Sequence, residues 1–181
     1  MSHVSLVSVD TAPTASRDLL RQITSAMGAT PNMFRAAANS PAALKSMWGA
    51  FGALAGGKLP ARLTEQLAVA IANRNACEYC LAAHTALGQG AGLSAAELGA
   101  AQIGISDDAR TQAALHFVLK LVDQRGALSA ADVQTVRAAG FDDAELVELI
   151  AHTALNLYTN YLNIALDVPV DFPAVALRQA A

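Results

Sequence analysis

Helix start and stop signals punctuate this sequence from end to end, and no stretch between them shows sustained strand alternation bounded by hairpin turns. An all-α architecture is the expectation. An irregular arm to about Pro13 leads into a helix through "SRDLLRQITSAM", ended by Gly28. Thr30 before Pro31, and Ser40 before Pro41, each read as a cap followed by proline at the first helical position. The second pair opens a helix to about Leu54, and "AGGKLP" breaks it. "ARLTEQLAVAIANRN" is apolar on nearly every side and reads as a buried helix. A tight turn at Asn75 to Ala76 starts the next helix, which ends near "GQGAG". Ser94 to Glu97 has capping-box spacing. Further helices are expected at about 107–125, at 129–139 before Gly140, and from about Asp143 to Leu166, with Pro169 and Pro173 bracketing a loop.

Hydrophobic residues make up 54% of the chain and charged residues only 15%, too few to coat a monomer comfortably, so self-association is expected. With a net charge of −3 and no basic cluster, nucleic acid is not an expected partner. No basic and apolar leader opens the sequence, and its apolar runs are too short and interrupted to span a bilayer, so no membrane partner is expected either. The expectation is a cytoplasmic protein. In that setting two cysteines are read as redox-active or metal-binding before they are read as a structural disulfide.

Both cysteines and one of four histidines fall in "NACEYCLAAH", Asn75 to His84. On a helix begun at Asn75 or Ala76, Cys77, Cys80 and His84 share one stripe, with Cys80 and His84 adjacent at i+4. A cysteine in the first turn meets free backbone N–H groups and the positive end of the helix dipole, which favour thiolate. Cys77 and Cys80 are placed to exchange a disulfide. If this helix and the preceding one form an antiparallel hairpin, Glu65 lies roughly 15 Å before the turn and His84 roughly 12 Å beyond it. The two come out level. A carboxylate beside an imidazole beside a thiol is a proton relay, in which His84 deprotonates Cys80 and Cys77 is the resolving partner. Plain core packing of two small cysteines, or a metal site completed by His116, His152 or Glu65, are the rival readings. His116 and His152 themselves read as core or interface histidines, and His3 belongs to the arm.

An internal echo runs through the chain: the intervals from Glu65 to Cys77, Cys80 and His84 recur from Glu148 to Asn160, Asn163 and Asp167. It suggests two related helical halves, a redox-active one at about 41–101 and a degenerate one at about 107–167. Both would lie within a single domain, 14–181, that follows the irregular arm, 1–13.

"EQLAVAIANRNACEYCLAAHTALGQGAGLS" resembles the core of the alkylhydroperoxidase D (AhpD)-like proteins of the carboxymuconolactone decarboxylase superfamily, with Glu-x11-Cys-x2-Cys-x3-His at Glu65, Cys77, Cys80 and His84. The resemblance extends through "GATPNMFRAAANSP", typical of a peroxidase-related branch, and "NYLNIALDVPVDFP". It implies an all-α, internally duplicated fold assembled as trimers or hexamers. It also implies reduction of alkyl hydroperoxides, in which the second cysteine attacks, the first resolves the sulfenic acid as a disulfide, and Glu65 and His84 move protons. No haem or flavin is implied; electrons come from a lipoylated or thioredoxin-like protein. Some members carry a histidine just before the second cysteine, where this chain has Tyr79. The same fold leaves open a protein disulfide reductase or redox sensor, a decarboxylase-like enzyme, or a non-enzymatic metal-binding oligomer.

Overall fold

The structure, a computed structural model, describes residues 2–178; Met1 and the last three residues of the expected domain lie outside them. Nine α-helices and no strand form the described residues: α1 Thr14–Met27, α2 Asn32–Ala37, α3 Pro41–Ala55, α4 Ala61–Arg74, α5 Glu78–Gly90, α6 Ala95–Ala101, α7 Ala109–Asp123, α8 Ala130–Ala138 and α9 Asp143–Ala165. The start signals act as short polar side chains do at helix ends, where orphan N–H groups need acceptors. Ser40 accepts from Ala43 N, and Ser94, Ser129 and Asp142 each close a capping box. Gly28, at φ 74°, ends α1 in the left-handed region that glycine enters freely.

One cap fails. Pro31 takes the cap position of α2 and no side chain caps it, because the Thr30 hydroxyl is drawn instead to Thr24 Oγ1 at the end of α1.

The centre of the fold is α4. It packs against α5, α6, α7 and α9, and every residue from Gln66 to Ala72 is buried, so a helix apolar on nearly every side has neighbours on nearly every side. Val69 and Ala72 join a core with α1 to α3 and α5; Leu63, Leu67, Ala70 and Ile71 join a second with α7, α8 and the start of α9. Its alanines let α5 lie close alongside.

The turn between α4 and α5 fixes the hairpin. Ala76 holds φ at 55°, costly for a residue with a Cβ, and the Cys77 N–H donates to Ala72 O at 2.9 Å across it.

The described stretches before α1 and after α9 are both tied down. In the irregular stretch 2–13, His3 N donates to Leu166 O at 2.8 Å, Val7 is buried, and Arg35 donates to Leu6 O and Val7 O. After α9 the chain runs back as a strap: Asp171 accepts from Asn32 N, and Ala176 O accepts from Gln102. No helix among the described residues is long and apolar enough to cross a membrane.

Candidate functional site

α5 begins at Glu78 rather than at Asn75 or Ala76, so Cys77 is its N-cap and not a first-turn residue, and its sulfur accepts from Cys80 N at 3.3 Å. That cap turns it onto Cys80. The two Sγ atoms lie 2.7 Å apart, both thiols free and both side chains buried. The pair is electrostatically unequal. The hydrogen bond from Cys77 lowers the Cys80 pKa from 9.0 to about 7 against the opposing effect of burial, helped by the Asn163 amide and the charge on His84. Cys77, holding its proton toward Cys80 and equally buried, is pushed well above the ordinary thiol range. When one proton leaves the pair, Cys80 keeps the charge.

The hairpin brings Glu65 level with His84, as its geometry requires: Nδ1 of the imidazole and Oε2 of the carboxylate are 2.8 Å apart. Both side chains are largely enclosed, at 13% exposure for His84 and 19% for Glu65. Burial pulls the His84 pKa down, but the Glu65 charge and hydrogen bond outweigh it and the net shift is upward. With Nδ1 committed to Glu65, Nε2 is the nitrogen left for proton exchange.

Cys80 and His84 together line a cavity of about 360 Å³ whose other walls are Met27, Phe34, Trp48, Phe51, Leu87 and Phe172. Phe34 packs edge-on against Trp48 and Phe51, and Phe172, carried by the C-terminal strap, packs edge-on against Tyr79. No Lys, Arg, Asp or Glu lines it. A larger hollow of about 720 Å³, between the start of α4, α6 and the start of α7, contains none of the four reactive residues. The candidate site is therefore the smaller, apolar cavity.

Residues 41–124, which hold all four of these side chains, match the carboxymuconolactone decarboxylase family. The chain is similar to that family over just under half of its length, and its fold is AhpD-like. A peroxidase-related protein with an alkylhydroperoxidase AhpD core from Ralstonia eutropha JMP134 superposes with a TM-score of 0.84 at 22% identity, covering 94% of this chain and 92% of that one. A peroxidase-related protein from Silicibacter sp. TM1040 gives 0.80 at 22% identity over 97% of this chain and 92% of that one. The debrominase Bmp8, in complex with 2,3,4-tribromopyrrole, gives 0.77 at 18% identity over 94% of each chain. At these identities the likeness is one of fold. No curated protein matches the sequence.

In this AhpD-like chain, two residues that no sequence argument placed at the site stand against the sulfurs. Asn163 donates to Cys80 Sγ at 3.2 Å, and Asn160 accepts from Asn75 Nδ2, in the hairpin turn, at 2.9 Å. Both come from α9, and the echo marked them: in the frame begun at Glu148 they hold the places of Cys80 and Cys77. From Glu148 to Asn163 that frame runs along one unbroken helix, without the turn of the first, and Asp167 lies past its end.

Neither His116 nor His152 is a satisfied core histidine. His116 is exposed on α7. His152 is on α9 with its Nε2 buried and unpartnered among the described residues, so it is not a satisfied core histidine, and burial lowers its pKa. A buried polar atom left so costs about 1–3 kcal/mol. No group of three or more His, Cys, Asp or Glu side chains among the described residues is placed to hold a metal ion.

Proposed function

We propose that the chain is a thiol peroxidase that reduces organic hydroperoxides at Cys80. The observation that carries this reading is that the sulfur with the lowered pKa is also the one lining the apolar cavity, beside His84 and Glu65. The Cys80 thiolate attacks the peroxide oxygen distal to the carbon, the O–O bond breaks, and the leaving alkoxide takes a proton from the His84–Glu65 pair. The products are an alcohol and a sulfenic acid on Cys80. Cys77, at 2.7 Å, then attacks that sulfur, releasing water and forming the disulfide. Apart from Cys80 and His84, the apolar and largely aromatic walls suit an apolar alkyl or aryl hydroperoxide.

A dithiol protein, lipoylated or thioredoxin-like, closes the cycle from the other side. Cys77 lines a separate hollow of about 310 Å³ with Glu78, Pro169 and Val170. Attack there on Cys77 expels Cys80, the better leaving thiolate. Mass spectrometry before and after one equivalent of cumene hydroperoxide tests the whole reading. The expected result is loss of two hydrogens per chain and one equivalent of alcohol; an unchanged mass with intact hydroperoxide overturns it.

A second reading is favoured by the aromatic walls and by the fold shared with the debrominase Bmp8. The same two thiols would reduce an aryl bromide to the arene, with hydrogen bromide released as the disulfide forms. Bromide release from 2,3,4-tribromopyrrole under a dithiol, with hydroperoxide left intact, would establish it in place of the first.

We also propose that the chain is a homo-oligomer, a trimer or hexamer, joined through α9. That helix exposes Val147 at 66%, Ile150 at 47%, Tyr161 at 61% and Ile164 at 48%, an apolar stripe running its whole length. Light scattering at micromolar concentration is expected to give a multiple of the chain mass, reduced by Ile150→Glu with Tyr161→Glu. The mass of a single chain for the wild type would refute it.

A further inference from the structure

We propose that Asn163 and Asn160 form an amide anion site for the Cys80 sulfur, Asn163 donating to the thiolate and Asn160 supplying a second N–H as negative charge builds on the sulfur at deprotonation. The proposal rests on the reading of Cys80 as the reacting thiol. Asn160 and Asn163 stand at i and i+3 on α9, so both amides leave the same face of the helix, the one turned to α5. Both side chains are essentially sealed, at 0% and 3% exposure. Asn163 Nδ2 donates to Cys80 Sγ at 3.2 Å. A thiol is a weak acceptor and a thiolate a strong one, so this bond gains strength only when the proton has gone.

The alternative role, gluing α9 to the hairpin, accounts for part of Asn160 and little of Asn163. The Oδ1 of Asn160 accepts from Asn75, which fixes the orientation of the amide and leaves its Nδ2 buried without a partner among the described residues. Asn163 makes its side-chain hydrogen bond to sulfur, and its Oδ1 is buried and unpartnered. Neither arrangement completes a helix-to-helix network. The unpartnered Asn160 Nδ2 is a donor placed for an anion before the charge arrives, whereas the Asn163 Oδ1 is an acceptor and adds nothing to such a site. Both amides also lower the Cys80 pKa, Asn163 more than Asn160. Neutral donors have a further merit here: they stabilise the thiolate without adding a cation that would compete with His84 for the Glu65 carboxylate.

The titratable groups around Cys80 are Cys77 at the cap of its own helix, Tyr79 and His84 on that helix, and Glu65 behind His84 on α4. Asp171 on the strap faces Tyr79, and Asp167, past the end of α9, lines the hollow on the Cys77 side. At the sulfur itself α9 presents only the two amides.

The test is the ultraviolet thiolate absorbance of the fully reduced protein as a function of pH, which needs no peroxide. Asn163→Leu, close in volume but with no donor, is expected to move the first thiolate step alkaline by about one unit, a tenfold smaller thiolate fraction at low pH. Peroxide consumption at that pH should fall in proportion and recover as pH is raised. Asn163→Ala reads the same donor loss without added bulk, and Asn160→Ala is expected to give a smaller shift. Folded Asn163→Leu or Asn163→Ala protein with the wild-type titration would overturn the proposal and leave a packing role. If the titration moves while cumene hydroperoxide is never consumed, the peroxidase reading fails and the anion site stands.

Discussion

Cys80→Ser is expected to abolish hydroperoxide reduction, whereas Cys77→Ser reacts once and stalls as a sulfenic acid on Cys80. Two features of the site make the pair unequal. Cys80, not Cys77, opens on the aromatic cavity with His84, and Cys80, not Cys77, keeps the charge when the pair loses a proton. Serine at position 80 removes the nucleophile from the cavity wall. The Cys77 thiol that remains loses the upward effect of Cys80 on its pKa but stays buried, which still raises it, and it lines the opposite hollow. Serine at position 77 leaves the nucleophile and removes only the partner that converts sulfenic acid to disulfide. Cys77→Ala, which also removes the donor that most lowers the Cys80 pKa, is expected to need a higher pH than the wild type for that single turnover. Trapping with a sulfenic-acid reagent and mass spectrometry reads both outcomes. Sulfenic acid forming on Cys77 in the Cys80→Ser protein at the wild-type rate would mean the roles are reversed.

What could be read from the sequence is what lies along the chain. Caps such as Ser40, Ser94 and Asp142 act within a few residues, and the register of a helical hairpin follows from counting residues on either side of Asn75. That is why Glu65 and His84, 19 positions apart, could be placed level before any coordinates and are found 2.8 Å apart. Thr30 shows where local logic gives way: a hydroxyl that could cap α2 finds Thr24 first. The cavity wall was out of reach for a different reason. Phe34 and Trp48, Phe51 and Phe172 come from α2, α3 and the C-terminal strap, and no periodicity relates them. Asn160 and Asn163 are the intermediate case. The echo with the first frame marked their positions, but their approach to Cys80 depends on how α9 crosses α4 and α5, a tertiary fact.

Glu65→Gln is expected to keep the fold and the disulfide but lower the rate of thiolate formation by a factor of roughly 10² to 10⁴, the range for a lost general base. Glutamine preserves the shape and a hydrogen bond to Nδ1 while removing the charge. The direction of the pH effect follows from the forces on His84. Burial already pulls its pKa down, and the Glu65 charge and hydrogen bond are what carry it above the ordinary value. Without that charge the imidazole holds its proton less well, so there is less imidazolium beside Cys80. The Cys80 pKa, lowered in part by the charge on His84, then rises. Wild-type activity should therefore climb through about pH 7, the value to which Cys80 is lowered, and the limb of the Glu65→Gln enzyme should lie at higher pH. The steps on either side of the thiolate would both suffer, because the leaving alkoxide takes its proton from the same His84–Glu65 pair. Stopped-flow rates of sulfenic acid formation across the neutral range measure both the size and the displacement. An unchanged rate and an unchanged profile would leave Glu65 as a buried hydrogen-bond partner of no catalytic consequence, with proton transfer resting on His84 and water alone.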